Sequence, residues 1–119
     1  IVNEDVLGSI EYACKVAGAK IVVVMGHTKC GAVTAACKNV ELGNITALLS
    51  KIKPAVVAAS KGKLMNDETI EFVSVQNVRL SMANIREESP ILAEMEQEGD
   101  ILIVGAVYNV SSGEISFLE

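Results

Sequence analysis

Two uninterrupted apolar runs, Ile21–Met25 and Ile101–Val107, do most to limit what this chain can become. Each is rich in β-branched residues and too short for a typical helix, the pattern of a strand covered on both faces in a parallel sheet. The stretch between them is long and carries helical periodicity, so the two runs predict parallel strands joined by right-handed crossovers, an α/β fold. The last segment alternates, Glu114-Ile115-Ser116-Phe117, and reads as an edge strand with one wet face. Two buried strands and one edge strand make a small sheet. A strand as apolar as Ile21–Met25 expects neighbours on both sides, so further strands are expected upstream of Ile1 or in a partner chain.

The helices follow from spacing and punctuation. Val6, Ile10, Ala13, Cys14 and Ala17 recur at helical intervals after Asp5, an expected N-cap, and Gly18 is the stop. Gly26 to Gly31 ends the first strand, and the small residues Ala32, Val33, Ala35, Ala36 and Cys37 let a helix begin at once. Ile45, Leu48, Leu49 and Ile52 form one stripe after Asn44, reaching Pro54 with a continuation through Val56 and Val57. Ser60-Lys61-Gly62-Lys63 is an exposed turn. A longer helix is predicted from Asp67, carrying Ile70, Val73, Asn77, Val78, Met82 and Ile85 and ending before Ser89-Pro90. There Ser89 caps and Pro90 opens a short helix with Ile91, Leu92 and Met95 that stops at Gly99. Ser111-Ser112-Gly113 turns the chain. With no internal repeat, low-complexity tract or linker, one domain over 1–119 is expected.

Composition narrows function. The net charge is −5, from 15 acidic against 10 basic residues, and the lysines (Lys15, Lys20, Lys29, Lys51, Lys53, Lys61, Lys63) are scattered. Binding to phosphate backbones or anionic membranes is therefore not expected. Only 3% of residues are aromatic and none is Trp, so stacking platforms for nucleic acid are not on offer and the core is aliphatic. Three cysteines, Cys14, Cys30 and Cys37, form no paired framework, and no signal-like or membrane-spanning stretch stands out, so a reducing cytoplasm is the expected compartment. The chain opens on Ile1 without Met, as expected of a processed, engineered or partial sequence.

In an open parallel sheet, ligands bind beyond the carboxyl ends of the strands, where His27 and Cys30 stand in Gly26-His27-Thr28-Lys29-Cys30-Gly31. Imidazole and thiolate are both zinc ligands, and a His-x-x-Cys turn can aim both at one point. The following helix N-terminus, with its free amides, would favour a thiolate or bound anion. From spacing alone, a His and a Cys unrelated to any metal are the more frequent reading, and two ligands do not complete a site. Cys14 and Cys37 lie on apolar helix faces and read as structural thiols.

Read with their neighbours, these residues resemble a known family. Ser9-Ile10-Glu11-Tyr12-Ala13, followed by Ile21-Val22-Val23-Val24-Met25-Gly26-His27-Thr28-Lys29-Cys30-Gly31-Ala32, is similar to the second zinc-binding segment of β-class carbonic anhydrases, with Glu-Tyr-Ala pointing to the plant-type branch. Asn77-Val78, Ser89-Pro90-Ile91-Leu92, Gly105-Ala106-Val107-Tyr108-Asn109, Ser112-Gly113 and Phe117-Leu118 continue the resemblance in order.

What the resemblance implies is a zinc enzyme that reversibly hydrates CO2 to bicarbonate, with zinc lowering the pKa of its water to about 7. His27 and Cys30 would be two of three protein ligands. The other Cys belongs to a Cys-x-Asp-x-Arg segment, absent from this sequence and expected upstream, together with the Asp and Arg that orient or gate the water. Tyr12 would line the substrate cleft, and the Gly31 amide would lie near substrate. Tyr12 reads equally as a core-edge residue, and Gly31 as a turn residue with unusual torsions. A homodimer or larger homo-oligomer is implied. Two alternatives stand beside the enzyme: a non-catalytic packing or association module, and a zinc hydrolase of the same fold acting on another linear molecule such as carbon disulfide.

Overall fold

In the computed structural model, which describes residues 1–118, the two apolar runs lie side by side as parallel strands β1 (Ile21–His27) and β2 (Leu102–Tyr108). Their register runs from Ile21 opposite Leu102 to His27 opposite Tyr108. A short strand, β3 (Ile115–Phe117), adds to β2 antiparallel, so the sheet order is β1-β2-β3 with β2 in the centre. The α/β class, the parallel pair and the C-terminal edge strand are as the pattern predicts. Gly26, expected to end the first strand, lies inside it.

Six helices complete the described chain: α1 (Glu4–Glu11), α2 (Gly31–Cys37), α3 (Gly43–Ser50), α4 (Lys53–Ser60), α5 (Asp67–Glu88) and α6 (Pro90–Gln97). None of them is long and apolar enough to cross a membrane. The cap of α1 is Asn3 rather than Asp5: its backbone is extended and its side chain accepts from the Val6 amide, which leaves Asp5 in the first turn beside Glu4. The expected single first helix changes pitch, and a π-helical turn (Tyr12–Val16) follows α1 before Gly18 reverses the chain at φ 84°. The stripe that reaches Pro54 is two helices, because Pro54 sits in the first turn of α4, where its missing N–H costs nothing.

Successive strand side chains alternate, so Val22, Val24 and Gly26 share a face with Ile103, Gly105 and Val107. That face is covered. Helix α5 crosses it so closely that a Cβ on Gly105 would stand 2.7 Å from the Met82 sulfur. Around it, Leu7, Cys14, Ile85, Leu92, Met95, Ile101 and Ile103 form one apolar core. The far side of α5 meets α2, α3 and α4 in a second core through Val33, Ala36, Leu49, Ile52, Ala55, Ile70 and Val73. The layering is therefore sheet, then α5 with α1 and α6, then α2 to α4.

The opposite face corrects the expectation of strands covered on both sides. Ile21, Val23 and Met25 are 51%, 41% and 48% exposed, and Leu102 and Phe117 on the same face reach 62% and 63%. Among the described residues β1 is an edge strand, and every helix that packs on the sheet uses the other face.

Candidate metal centre

His27 is the last residue of β1 and Cys30 is the N-cap of α2, so the two are separated by only Thr28 and Lys29 at the carboxyl end of the sheet. The strand anchors one and the helical layer the other: Cys30 is half-buried and packs against the core formed by α2 to α5, while His27 is exposed. The reversal falls on Lys29, at φ 55°, a left-handed backbone that a side chain disfavours. Gly31 does not have the unusual torsion considered for it. It is the first residue of α2, and a Cβ built there would meet nothing within 4 Å.

Four hydrogen bonds hold the turn. The Thr28 amide donates to the Tyr108 carbonyl at 3.0 Å and its Oγ1 accepts from the Val110 amide at 3.1 Å, which ties the loop to the end of β2. The Lys29 amide donates to Glu71 Oε1 on α5 at 3.1 Å, and Lys29 Nζ donates to Ser111 Oγ at 3.2 Å. Asn109 Oδ1 in turn accepts from the Ser111 and Ser112 amides at 2.9 and 3.1 Å, shaping the turn between β2 and β3. Sequence reading missed Glu71, Thr28 and Ser111, because the partners lie 42 and 82 residues apart and no local pattern links them.

The donor chemistry suits a metal. His27 Nδ1 lies 2.8 Å from the Thr28 carbonyl oxygen, which can only accept, so Nδ1 is the donor and, in the neutral ring, Nε2 is the nitrogen with the lone pair. An imidazole with Nε2 available and a thiol three residues beyond it could serve as two donors to a zinc ion. Among the described residues no third His, Cys, Asp or Glu joins them in a metal-sized group. Cys14 and Cys37 are buried in the two cores, as structural thiols should be. Burial pushes both thiols up, and for Cys37 the nearby Lys53 charge opposes this less strongly.

Tyr12 opens the π-helical turn and is 64% exposed, which sets aside its reading as a core-edge residue. Such turns recur at functional sites. Behind the loop lies a cavity of about 500 Å³, lined by Thr28, Lys29, Thr34, Asp67, Glu71 and Asn109 among others; His27 and Cys30 do not line it.

Comparison with known proteins agrees with this arrangement. Residues 1–115 match the family described as Carbonic anhydrase. A carbonic anhydrase of Mycolicibacterium smegmatis is 28% identical over 120 residues, covering 97% of this chain and 57% of the relative. The β-carbonic anhydrase CafA of Aspergillus fumigatus superposes with a TM-score of 0.85 at 29% identity, covering 99% of this chain and 57% of that one. A β-carbonic anhydrase of Sordaria macrospora, described as tetrameric, shares the fold with a TM-score of 0.86 at 20% identity, over 98% of this chain and 61% of its own. The chain thus spans somewhat over half the length of these relatives. With the family match running through the His27–Cys30 turn and nearly the whole chain, and the same fold in solved members, the chain belongs to the β-carbonic anhydrase family.

Proposed function

We propose that this protein catalyses the reversible hydration of CO2 to bicarbonate at a zinc site that includes His27 and Cys30. The observation that carries the reading is the His27 imidazole, whose Nδ1 is tied to the Thr28 carbonyl so that Nε2 is the free donor on the turn that bears Cys30. A zinc held there supplies the Lewis acidity that makes hydroxide available near neutral pH. Zinc takes about three protein ligands in a catalytic site, so a further thiolate is required. We assign it, with the accompanying Asp and Arg, to the Cys-x-Asp-x-Arg segment that characterises the family and does not occur in these residues.

The chain's own residues serve the rest of the site. Gly31 leaves open space beside Cys30, room for a small linear substrate to approach the backbone. Tyr12, exposed at the π-helical turn, is the residue assigned to the wall of the cleft. The Glu11-Tyr12-Ala13 segment supports the plant-type branch, and three unpaired thiols suit a reducing compartment such as the cytoplasm. We extend the tetrameric description of the Sordaria relative to a homo-oligomer here, supported by the apolar sheet face that stays open along Ile21, Val23, Met25 and Leu102.

Zinc analysis with a CO2 hydration assay tests the proposal. In the protein that carries the Cys-x-Asp-x-Arg segment, about one zinc per subunit is expected, with activity and metal both lost in His27→Ala. Undiminished hydration by that variant overturns the assignment. A second reading, a carbonic-anhydrase-like module retained for association without turnover, draws on the two-donor count among the described residues. It expects a soluble, folded protein without zinc or hydration activity.

A further inference from the structure

The geometry points to Glu71 as the positioning residue of the His27–Cys30 turn, an inference that rests on the metal reading above. His27 is placed by the sheet and Cys30 by the helical core, so the relation between the two donors depends on the two residues that join them. Thr28 is fixed twice to the β2 end, through the Tyr108 carbonyl and the Val110 amide. Lys29 carries the unfavourable torsion, at φ 55°, and its backbone amide is held by the Glu71 carboxylate at 3.1 Å. A carboxylate on a backbone amide is a charge-assisted bond, stronger than a neutral one. Glu71 is half-buried on α5, whose neighbouring residues Ile70 and Val73 sit in the core against which Cys30 packs. The same helix therefore sets the reversed backbone at Lys29 and the packing of Cys30, and Glu71 acts on the metal only through the loop.

Hydrogen exchange of the Lys29 amide, measured on the full chain, reads the clamp directly. Zinc reads its consequence, as the Zn²⁺ concentration that halves the rate at which iodoacetamide alkylates Cys30. In Glu71→Leu the Lys29 amide exchanges at least about threefold faster, and half-protection requires about tenfold more Zn²⁺, the usual scale for a lost support of a metal ligand. Adding Lys29→Gly to Glu71→Leu restores the Zn²⁺ requirement toward that of the parent, because glycine adopts the left-handed torsion unaided. A role of Glu71 in helix stability alone would not be rescued at position 29. Where Glu71→Leu fails to fold, Glu71→Gln keeps the shape and removes the charge, and an intermediate exchange rate is expected. Exchange at Lys29 unchanged in Glu71→Leu, or in Glu71→Gln if that variant must stand in, overturns the inference, as does absence of rescue by Lys29→Gly. If Zn²⁺ gives no protection at any concentration in the parent protein that carries the Cys-x-Asp-x-Arg segment, the metal reading fails, and the exchange rates alone decide the clamp.

Discussion

A Cβ placed on Gly26 would stand 2.8 Å from Val78 Cγ2, so α5 rests on bare backbone one residue before His27. Val78 is 3% exposed and has nowhere to retreat. Gly26→Ala is therefore expected to destabilise the protein by about 1–3 kcal/mol through overpacking. Urea denaturation measures this, and pairing the change with Val78→Ala should return part of the loss. An unaltered midpoint in the single variant would show that α5 can shift away from the strand.

The three thiols should separate by accessibility. Cys14 and Cys37 are 4% and 7% exposed, and burial holds both in the protonated form beyond the ordinary thiol range. Cys30 is half-buried at the loop. One rapid equivalent with a chromogenic disulfide is expected in the native protein, three after denaturation, and none that is rapid in Cys30→Ser.

Arg86 binds Glu96 through two hydrogen bonds, Nε to Oε1 at 2.7 Å and Nη2 to Oε2 at 2.8 Å, and reaches the Ile103 carbonyl at 3.3 Å, joining α5, α6 and β2. The hydrogen bond from Arg86 is the main cause of the lowered Glu96 pKa, with burial opposing it and the guanidinium charge adding to it. A depressed carboxylate contributes stability that is present above its unfolded pKa, about 4.3, and is lost as pH falls through the folded value. With side chains 39% and 26% exposed, water screens the pair, so Glu96→Gln should cost about 1 kcal/mol or less at pH 7. That difference should shrink on acidification below about pH 4; denaturation curves at several pH values check both.

Ser89 is fully buried and works in two directions: Oγ accepts from the Leu92 amide at 3.2 Å as the cap of α6 and donates to Glu11 Oε2 at the end of α1 at 2.6 Å. Ser89→Ala removes both bonds, and a loss of about 1–2 kcal/mol is expected. Thermal denaturation should show it, and a double-mutant cycle with Glu11→Gln should reveal coupling between the two positions.

Features set by neighbouring residues were legible from the chain alone. The apolar runs at Ile21–Met25 and Ile101–Val107 became parallel partners, the helix expected from Asp67 runs to Glu88, and Ser89-Pro90 caps and opens α6. Local pattern did not reveal the pitch change at Tyr12 or the break at Lys51–Ile52 between α3 and α4, where a continuous apolar stripe hides a change of helical geometry. It also overstated the cover on the sheet: an apolar run records that a strand suits burial, whereas whether another element reaches that face is a matter of the assembled layers.

The same division runs through the site. His27-x-x-Cys30 at the end of an apolar strand is a property of the sequence, and it sufficed to place two donors beyond the sheet, because strand, turn and helix follow one another within ten residues or so. Which imidazole nitrogen is free, that Lys29 rather than Gly31 takes the reversed torsion, and that Glu71 holds it were decided only by the tertiary structure. Each depends on how the backbone folds back or on a hydrogen bond between residues far apart in the chain, and such contacts exist only once α5 and the β2–β3 turn have packed around the loop.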